Sequence, residues 1–432
     1  MASRKAIAAP FPFLDTDTRA WPGVPDLAEA RRHSLSRFRA EALPSTRVEA
    51  WKYTNLAALA RIPFKAPKPA AGDDKAAQAA AHAVPAGRRR LVFVNGRFHD
   101  AASAAGTAPQ GSFVGGLTQA LQQAPGLIRP HLAHLTSLDG DALMALNTAF
   151  MIDGAAILIG RGQTAEAIEL VQVGRAGDTP VAFHPRHLIV VEAGATATLV
   201  ETRMGEGIYW SNAVTTVVLG DGATLHHHVI QRSSLDSFDL ARVQVIAGAN
   251  ATYDGSLLGT GAALSRHEVE GLLEGRNVTC RLRGAFLARG TQVADVTTVI
   301  DHGERDGHSE QLIRGVLDGK AHGVFQGRIV VRPAAQKTDA RQSSNMLMLS
   351  DGAEADTKPE LEISADDVKC SHGATVGELS DAEVFYLQAR GIDPDTARRL
   401  LVSGFLATVF ETVADDSVRE RAAAAVEGWF AS

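Results

Sequence analysis

The feature that most constrains this chain is a repeat in its middle third. LIVVEAGATATLVET (188–202) is followed by TTVVLGDGATLHHHVIQ (215–231), VQVIAGANATYDGSL (243–257) and EGLLEGRNVTCRLRG (270–284). Each reads as an apolar run, a short turn, then a second run that opens on Ala-Thr or Val-Thr. Aligned on Gly194, Gly222, Gly248 and Gly275, the units are spaced 28, 26 and 27 residues apart. A near-constant period with strand–turn–strand content is the signature of a solenoid, in which each unit buries its inward side chains against the next. The runs are rich in Val, Thr, Ile and Leu, which suit strands, and glycine at a corner admits backbone angles that other residues resist. A stack of parallel strands, a β-helix, fits this pattern best; a β-sandwich with evenly spaced hairpins is the runner-up.

The repeat places the boundaries. The solenoid is expected to start near Ala155, continue through GVFQGRIVV (323–331) and end near LEISADDVKCSHG (361–373). That divides the chain into residues 1–154, mixed and largely helical, 155–377, the β-helix core, and 378–432, a helical C-terminal part. In the first part, 1–62 reads as helical, with Leu35, Phe38 and Leu43 forming an amphipathic pattern that Pro44 stops. The Ala- and Pro-rich stretch 66–87 reads as a linker, and LVFVNGRF (91–98) as a strand with an Asn-Gly turn. In the last part, Ser380 and Glu383 form a capping box, Gly391 ends the helix, Asp393-Pro394 opens a second, and a third spans about 417–430. Helices at both ends suit a β-helix, whose open ends leave backbone groups unpaired.

Composition removes several functions. The net charge of −6 speaks against a general nucleic-acid surface. No apolar run is long enough for a signal peptide or a membrane span. Two cysteines, Cys280 and Cys370, are too few for a disulfide framework and suit a reducing compartment. The chain is therefore read as cytoplasmic. No phosphate-binding G-x-x-x-x-G-K-[ST] loop is present, and GVLDGKA (315–321) has the wrong spacing. Neither G-x-S-x-G nor H-E-x-x-H occurs. Nucleotide hydrolysis is not expected in this chain.

Four places carry candidate chemistry. His226, His227 and His228 lie in one strand, so His226 and His228 share a face; a satisfied or exposed polar strand face is preferred to a two-histidine metal patch. His302 and His308 flank Glu304 and Asp306 and read as a polar corner. Cys280 reads as a small buried hydrophobe. Cys370 and His372 stand apart: at i and i+2 on a strand they share a face, and Lys369 and His372 nearby would favour the thiolate. Chemistry alone leaves two readings open, a metal or thiol site, and a turn in which Ser371 and His372 cap the backbone. A metal takes about four ligands, so two from this chain imply a site completed by a partner.

The long stretch from Ala334 to Ile392, together with RVEAWKYTNL (47–56) and VLDGKAHGVFQGRIVV (316–331), closely resembles the SufB/SufD family of the SUF iron–sulfur cluster assembly machinery. The form CSHGATVG (370–377) resembles the SufD branch. Small departures, Glu360 and Ala321-His322, lie away from the candidate site. The resemblance implies a right-handed parallel β-helix flanked by helical parts. It implies a scaffold subunit that pairs with a SufB-type β-helix through its sheet edge and docks a SufC-type ATPase on the C-terminal helices. It also implies that His372 and Cys370 face a nascent iron–sulfur cluster, or its iron, shared with the SufB-type partner. Reduced flavin as a cofactor, without a visible motif, is a further implication; separately, an unpaired sheet edge invites a like partner, so a homodimer is expected when the chain is alone. Two competitors are a purely structural β-helix and a carbohydrate-active β-helix enzyme. The second would gather carboxylates on one face, whereas Asp301, Glu304 and Asp306 sit in loops.

Overall fold

The computed structural model describes residues 6–7, 11–16, 25–70, 72–136 and 140–431. From Ala155 onward the chain winds through about eight turns of a parallel β-solenoid, the architecture expected from the repeat. Strands alternate between two sheets, so every second strand in sequence is a neighbour in space. Sheet one runs from Arg89–Val94 through Ile168–Arg175, Thr196–Glu206, Thr224–Arg232, Thr252–Gly259, Thr279–Ala288, His308–Leu317 and Asp339–Met348 to Lys369–Glu378. Sheet two faces it and ends on His322–Val331 and Glu354–Ile363. Residues before Ala155 also supply strands: Arg89–Val94 pairs with Ile168–Arg175, and Phe113–Gly116 pairs antiparallel with Ala155–Ile159.

Register explains why the pattern works. Thr196, Thr224, Thr252, Thr279, His308, Asp339 and Lys369 are aligned partners in successive coils of sheet one. The side-chain period of two then sends Leu199, Leu225, Tyr253, Cys280 and Leu282 inward, against Val217, Val243, Val245 and Ile300 from sheet two. The corner residues differ from the glycine alignment read from sequence. Gly194 and Gly222 do take positive φ, 69° and 67°, but the equivalent corners further along are Asn250 and Asn277, at 58° and 56°. Asn shares the left-handed corner with Gly because its short polar side chain bonds locally. The coils therefore keep a closer register than the glycines alone suggest.

The outer faces are covered from both ends of the chain. On sheet two, Trp51, Phe11, Phe13, Phe64, Leu146 and Phe150 pack on Trp210, Leu240 and Leu264. The expected first helix is Pro25–Glu41; it stops at Ala42, φ 57°, before Leu43–Pro44 pairs with Ala6–Ile7. The expectation of helix across 1–62 falls partly on residues 1–5, 8–10 and 17–24, outside the described residues. The stretch 66–87, expected as a linker, contains a ten-residue helix, Asp73–His82. Its alanines fit the small gap over Val92, Val94, Val171 and Val173, so packing decides what composition left open. Asn95 and Gly96 form the tight turn between Arg89–Val94 and Arg97–Phe98, both with positive φ as such a hairpin requires.

At the C-terminal end, Ser380 caps Asp381–Gln388, Asp393 caps Pro394–Ala407, and Asp416–Ala431 follows. The last two helices bury Val402, Leu406, Val418 and Trp429 on the outer face of sheet one, against Val200, Leu258, Leu287 and Val316. Arg421 reaches Glu169, and Arg88 bridges Glu169 to Asp415. The C-terminal helices are thus tied to strands more than 200 residues earlier.

Candidate functional site at the open end of the solenoid

Among the described residues the last strand of sheet one, Lys369–Glu378, has one neighbour only, Asp339–Met348, and so presents an unpaired backbone edge. Within that pair Cys370 lies opposite Ala340 and His372 opposite Gln342. Ala340 and Gln342 are buried and face the solenoid interior. Parallel register puts Cys370 and His372 on the same interior side, but of a coil beyond which no further strand is stacked among the described residues. Thr357, Pro359 and Leu361, register partners of the inward-facing Phe325, Gly327 and Ile329, form the opposite wall. Val376 and Ile363 remain 53% and 42% exposed, unusual for residues at inward positions.

Cys370 is half-buried beside Val331, Ala335 and Ala365, whereas His372 is exposed. Burial pushes the Cys370 thiol above its ordinary value, the Ala340 backbone hydrogen bond pulls it down, and the Asp339 carboxylate pushes it up again. This corrects the expectation that Lys369 and His372 favour the thiolate. Lys369 is the adjacent residue and so projects from the opposite face of the strand.

The other candidates resolve into structural roles. His227 points inward, 3.0 Å from the Tyr253 hydroxyl and 3.2 Å from Glu201. His226 and His228 share the outer face, their rings stacked at 6.4 Å; His226 meets Asp254 at 3.3 Å and His228 meets Ser256 at 2.8 Å. His302 is not at a corner as expected: it ends a strand, fully buried, with Nε2 2.8 Å from the Ser309 hydroxyl. Cys280 is buried among leucines and valines, and burial pushes its thiol to about 12.

Sequence reading missed the polar line inside the solenoid. Glu201 accepts from Gln172 at 2.6 Å and from Arg203 at 2.5 Å, with His227 on its other oxygen. Burial alone would raise this carboxyl, yet Arg203 and His227 hold it well below its usual range. The alternation of polar and apolar residues in these strands resembles an exposed face, so periodicity alone gives no warning that both faces are buried. Among the described residues no cluster of three or more His, Cys, Asp or Glu side chains is placed to hold a metal ion.

The fold is a parallel β-solenoid with helical layers, and its last coil carries Cys370 and His372. Comparison with known proteins gives the family. The family profile described as "SUF system FeS cluster assembly, SufBD core domain" matches residues 173–405, and that of the "SufBD protein N-terminal region" matches 23–173. An iron–sulfur cluster assembly SufBD family protein of Synechocystis is 33% identical over 407 residues, covering 91% of this chain and 89% of the relative. The iron–sulfur cluster assembly protein SufD of Escherichia coli is 31% identical over 405 residues, covering 92% of each. SufD of Bacillus subtilis is 28% identical over 299 residues, 67% of each. The chain belongs to the SufBD family of SUF-system iron–sulfur cluster assembly proteins. No helix among the described residues is long and apolar enough to cross a membrane.

Proposed function

We propose that this chain is a non-catalytic, cytoplasmic scaffold subunit that builds a nascent iron–sulfur cluster at the open end of its solenoid, jointly with a SufB-type subunit. The observation that carries the reading is the placement of Cys370 and His372 side by side on the inward face of an unpaired terminal strand. The cluster and its iron are cargo. His372 offers a ring nitrogen, Cys370 a sulfur, and the remaining ligands come from the partner across the edge. Edge-to-edge pairing with a second β-solenoid supplies the backbone hydrogen bonds that Lys369–Glu378 and Glu354–Ile363 lack. Alone, the same edges would pair two copies of this chain.

The SufC-type ATPase docks on the C-terminal helices. Phe385, Tyr386 and Leu400 there are 70%, 56% and 50% exposed, a set of large apolar side chains that a partner would cover. Hydrolysis then belongs to that partner, consistent with a chain lacking the phosphate-binding loop. The reading gives flavin no role.

The test has two parts. Anaerobic affinity capture of the tagged chain should recover an ABC-type ATPase and a second β-solenoid subunit; recovery of the chain alone would remove the scaffold reading. His372→Ala should leave that complex assembled and abolish cluster maturation. Maturation that survives in an intact complex would reduce His372 to a structural residue.

A further inference from the structure

We infer that the last two helices form an axial brace, which locks non-neighbouring coils into one cooperative body and is anchored on Glu169 at the first coil. In a bare solenoid each coil touches only its neighbours, so the stack can open coil by coil. The helices Pro394–Ala407 and Asp416–Ala431 cross that division. Their buried faces share one apolar cluster with Val200, Leu258, Leu287, Val316 and Leu347. Those residues stand on five strands of sheet one, from Thr196–Glu206 to Asp339–Met348. The end strands are five strand spacings apart, about 24 Å at about 4.8 Å each. Asp416–Ala431, with sixteen residues, is itself about 24 Å long.

Polar and aromatic contacts pin the helices at three points along the stack. At the first coil Glu169, on Ile168–Arg175, is fully buried and accepts from Arg421 at 3.0 and 3.2 Å. Arg88 reaches the same carboxylate at 3.2 Å and also pairs with Asp415, just before the last helix. Arg421 donates as well to the Thr202 hydroxyl on the next strand. One buried carboxylate thus joins the N-terminal part, the start of the solenoid and the last helix. Midway, the Arg289 guanidinium lies 4.5 Å from the Trp429 ring centre and donates to the Trp429 carbonyl. Nearer the open end Arg314 lies 4.7 Å from the Phe405 ring centre and donates to the Phe405 carbonyl. Both carbonyls belong to the last turn of their helix, where no partner exists within the helix. Each arginine therefore ties a helix end to the solenoid.

On the reading that an ATPase docks on the C-terminal helices, its pull reaches the first coils through the brace. Without the brace that pull would fall on Lys369–Glu378, which ends only two residues before the helix Asp381–Gln388.

Amide hydrogen exchange of the full-length chain, followed by mass spectrometry, tests the brace with no partner present. Arg421→Met removes the anchoring guanidinium and leaves Glu169 paired with Arg88, so the variant should fold. Expected is exchange at least about tenfold faster in Asp416–Ala431 and also in Asp339–Met348, six strand spacings or about 29 Å from Ile168–Arg175. Arg421→Lys keeps the charge without the forked contact and should fall between parent and Arg421→Met; it carries the same test if Arg421→Met does not fold. Arg314→Met, towards the other end, should in turn speed exchange in Ile168–Arg175. Faster exchange confined to Asp416–Ala431 and the strands beside Arg421 would make the contact local and overturn the inference, as would exchange unchanged throughout. If the exchange result holds while affinity capture recovers no ATPase, the docking reading fails and the brace stands.

Discussion

Two regions of the solenoid put polar side chains at the same inward positions, with opposite results. Midway along, Glu201, Arg203, His227 and Tyr253 are sealed between coils, and Arg203 also reaches Asp239 at 3.4 Å. At the last coil Cys370 and His372 occupy equivalent positions with no coil above them, and Gln342 beneath them is unpaired. The stack itself makes this difference. A coil covered on both sides must satisfy its polar groups internally, because burial leaves no water to do so. A coil covered on one side can leave its groups for a partner. Polar side chains in the middle are therefore buried and paired largely among themselves, whereas His372 at the end stays exposed.

The sharpest way to break the comparison is to cut the midpoint network. Glu201→Leu removes the carboxylate that Gln172, Arg203 and His227 share and leaves a buried guanidinium with Asp239 as its remaining charged partner. The expected cost is about 3–5 kcal/mol, read as a lower urea midpoint at unchanged slope. A cost near zero would mean that the interior is as tolerant as the open end.

Acid should act on the same region. Burial pushes His184 and His267 down to about 3, and His187, His228 and His302 to about 4, from the ordinary 6.5. The unfolded chain then binds protons below pH 6.5 that the folded chain refuses. The stability these neutral rings contribute is whole above pH 6.5 and is lost as the pH falls towards 4. Each contributes a slope of about 1.4 kcal/mol per pH unit across its window. Urea midpoints taken at intervals from pH 7.5 to 4.5 should fall with uptake of several protons on unfolding. A flat profile would show that these rings are not held neutral.

At the open end His372→Ala should change stability by no more than about 0.5 kcal/mol, as expected of an exposed side chain without a hydrogen-bond partner in the fold, while cluster maturation is lost. A large loss of stability would make the terminal coil a folded element like the others and erase the contrast.

How far the sequence alone reaches follows the same division. The solenoid is legible because period and β-branched runs are local properties repeated many times. The coil of Cys370 and His372 is legible because a cysteine and a histidine two residues apart must share a strand face. Burial is not local. Asn250 and Asn277 at the corners, the alanine helix Asp73–His82 and the inward histidines His227 and His302 all depend on what lies across the solenoid or on its outer face. Gln342 is the clearest case. QSSNMLM reads as an ordinary half-polar strand until Gly327 is seen against its buried amide.

The two cysteines give the smallest effect and the cleanest contrast, since one lies in each region. Cys280 is sealed in the midpoint core with its thiol pushed to about 12, so an alkylating agent has neither access nor thiolate. Cys370 is half-exposed, but burial raises its thiol too, so at pH 7 it is mostly protonated. Iodoacetamide on the native chain should add one label, at Cys370, slowly at pH 7 and faster with each step upward in pH. Peptide mass spectrometry should find Cys280 unmodified until the chain is unfolded. A label on Cys280 at the rate of Cys370 would mean that the middle coils open as readily as the end. Fast labelling of Cys370 at pH 7 would mean that the free terminal site already favours the thiolate, and that no partner's charge is needed to prepare it. Protection of Cys370 on adding a SufB-type subunit, with Cys280 unchanged, would place the partner on the open coil and nowhere along the wall.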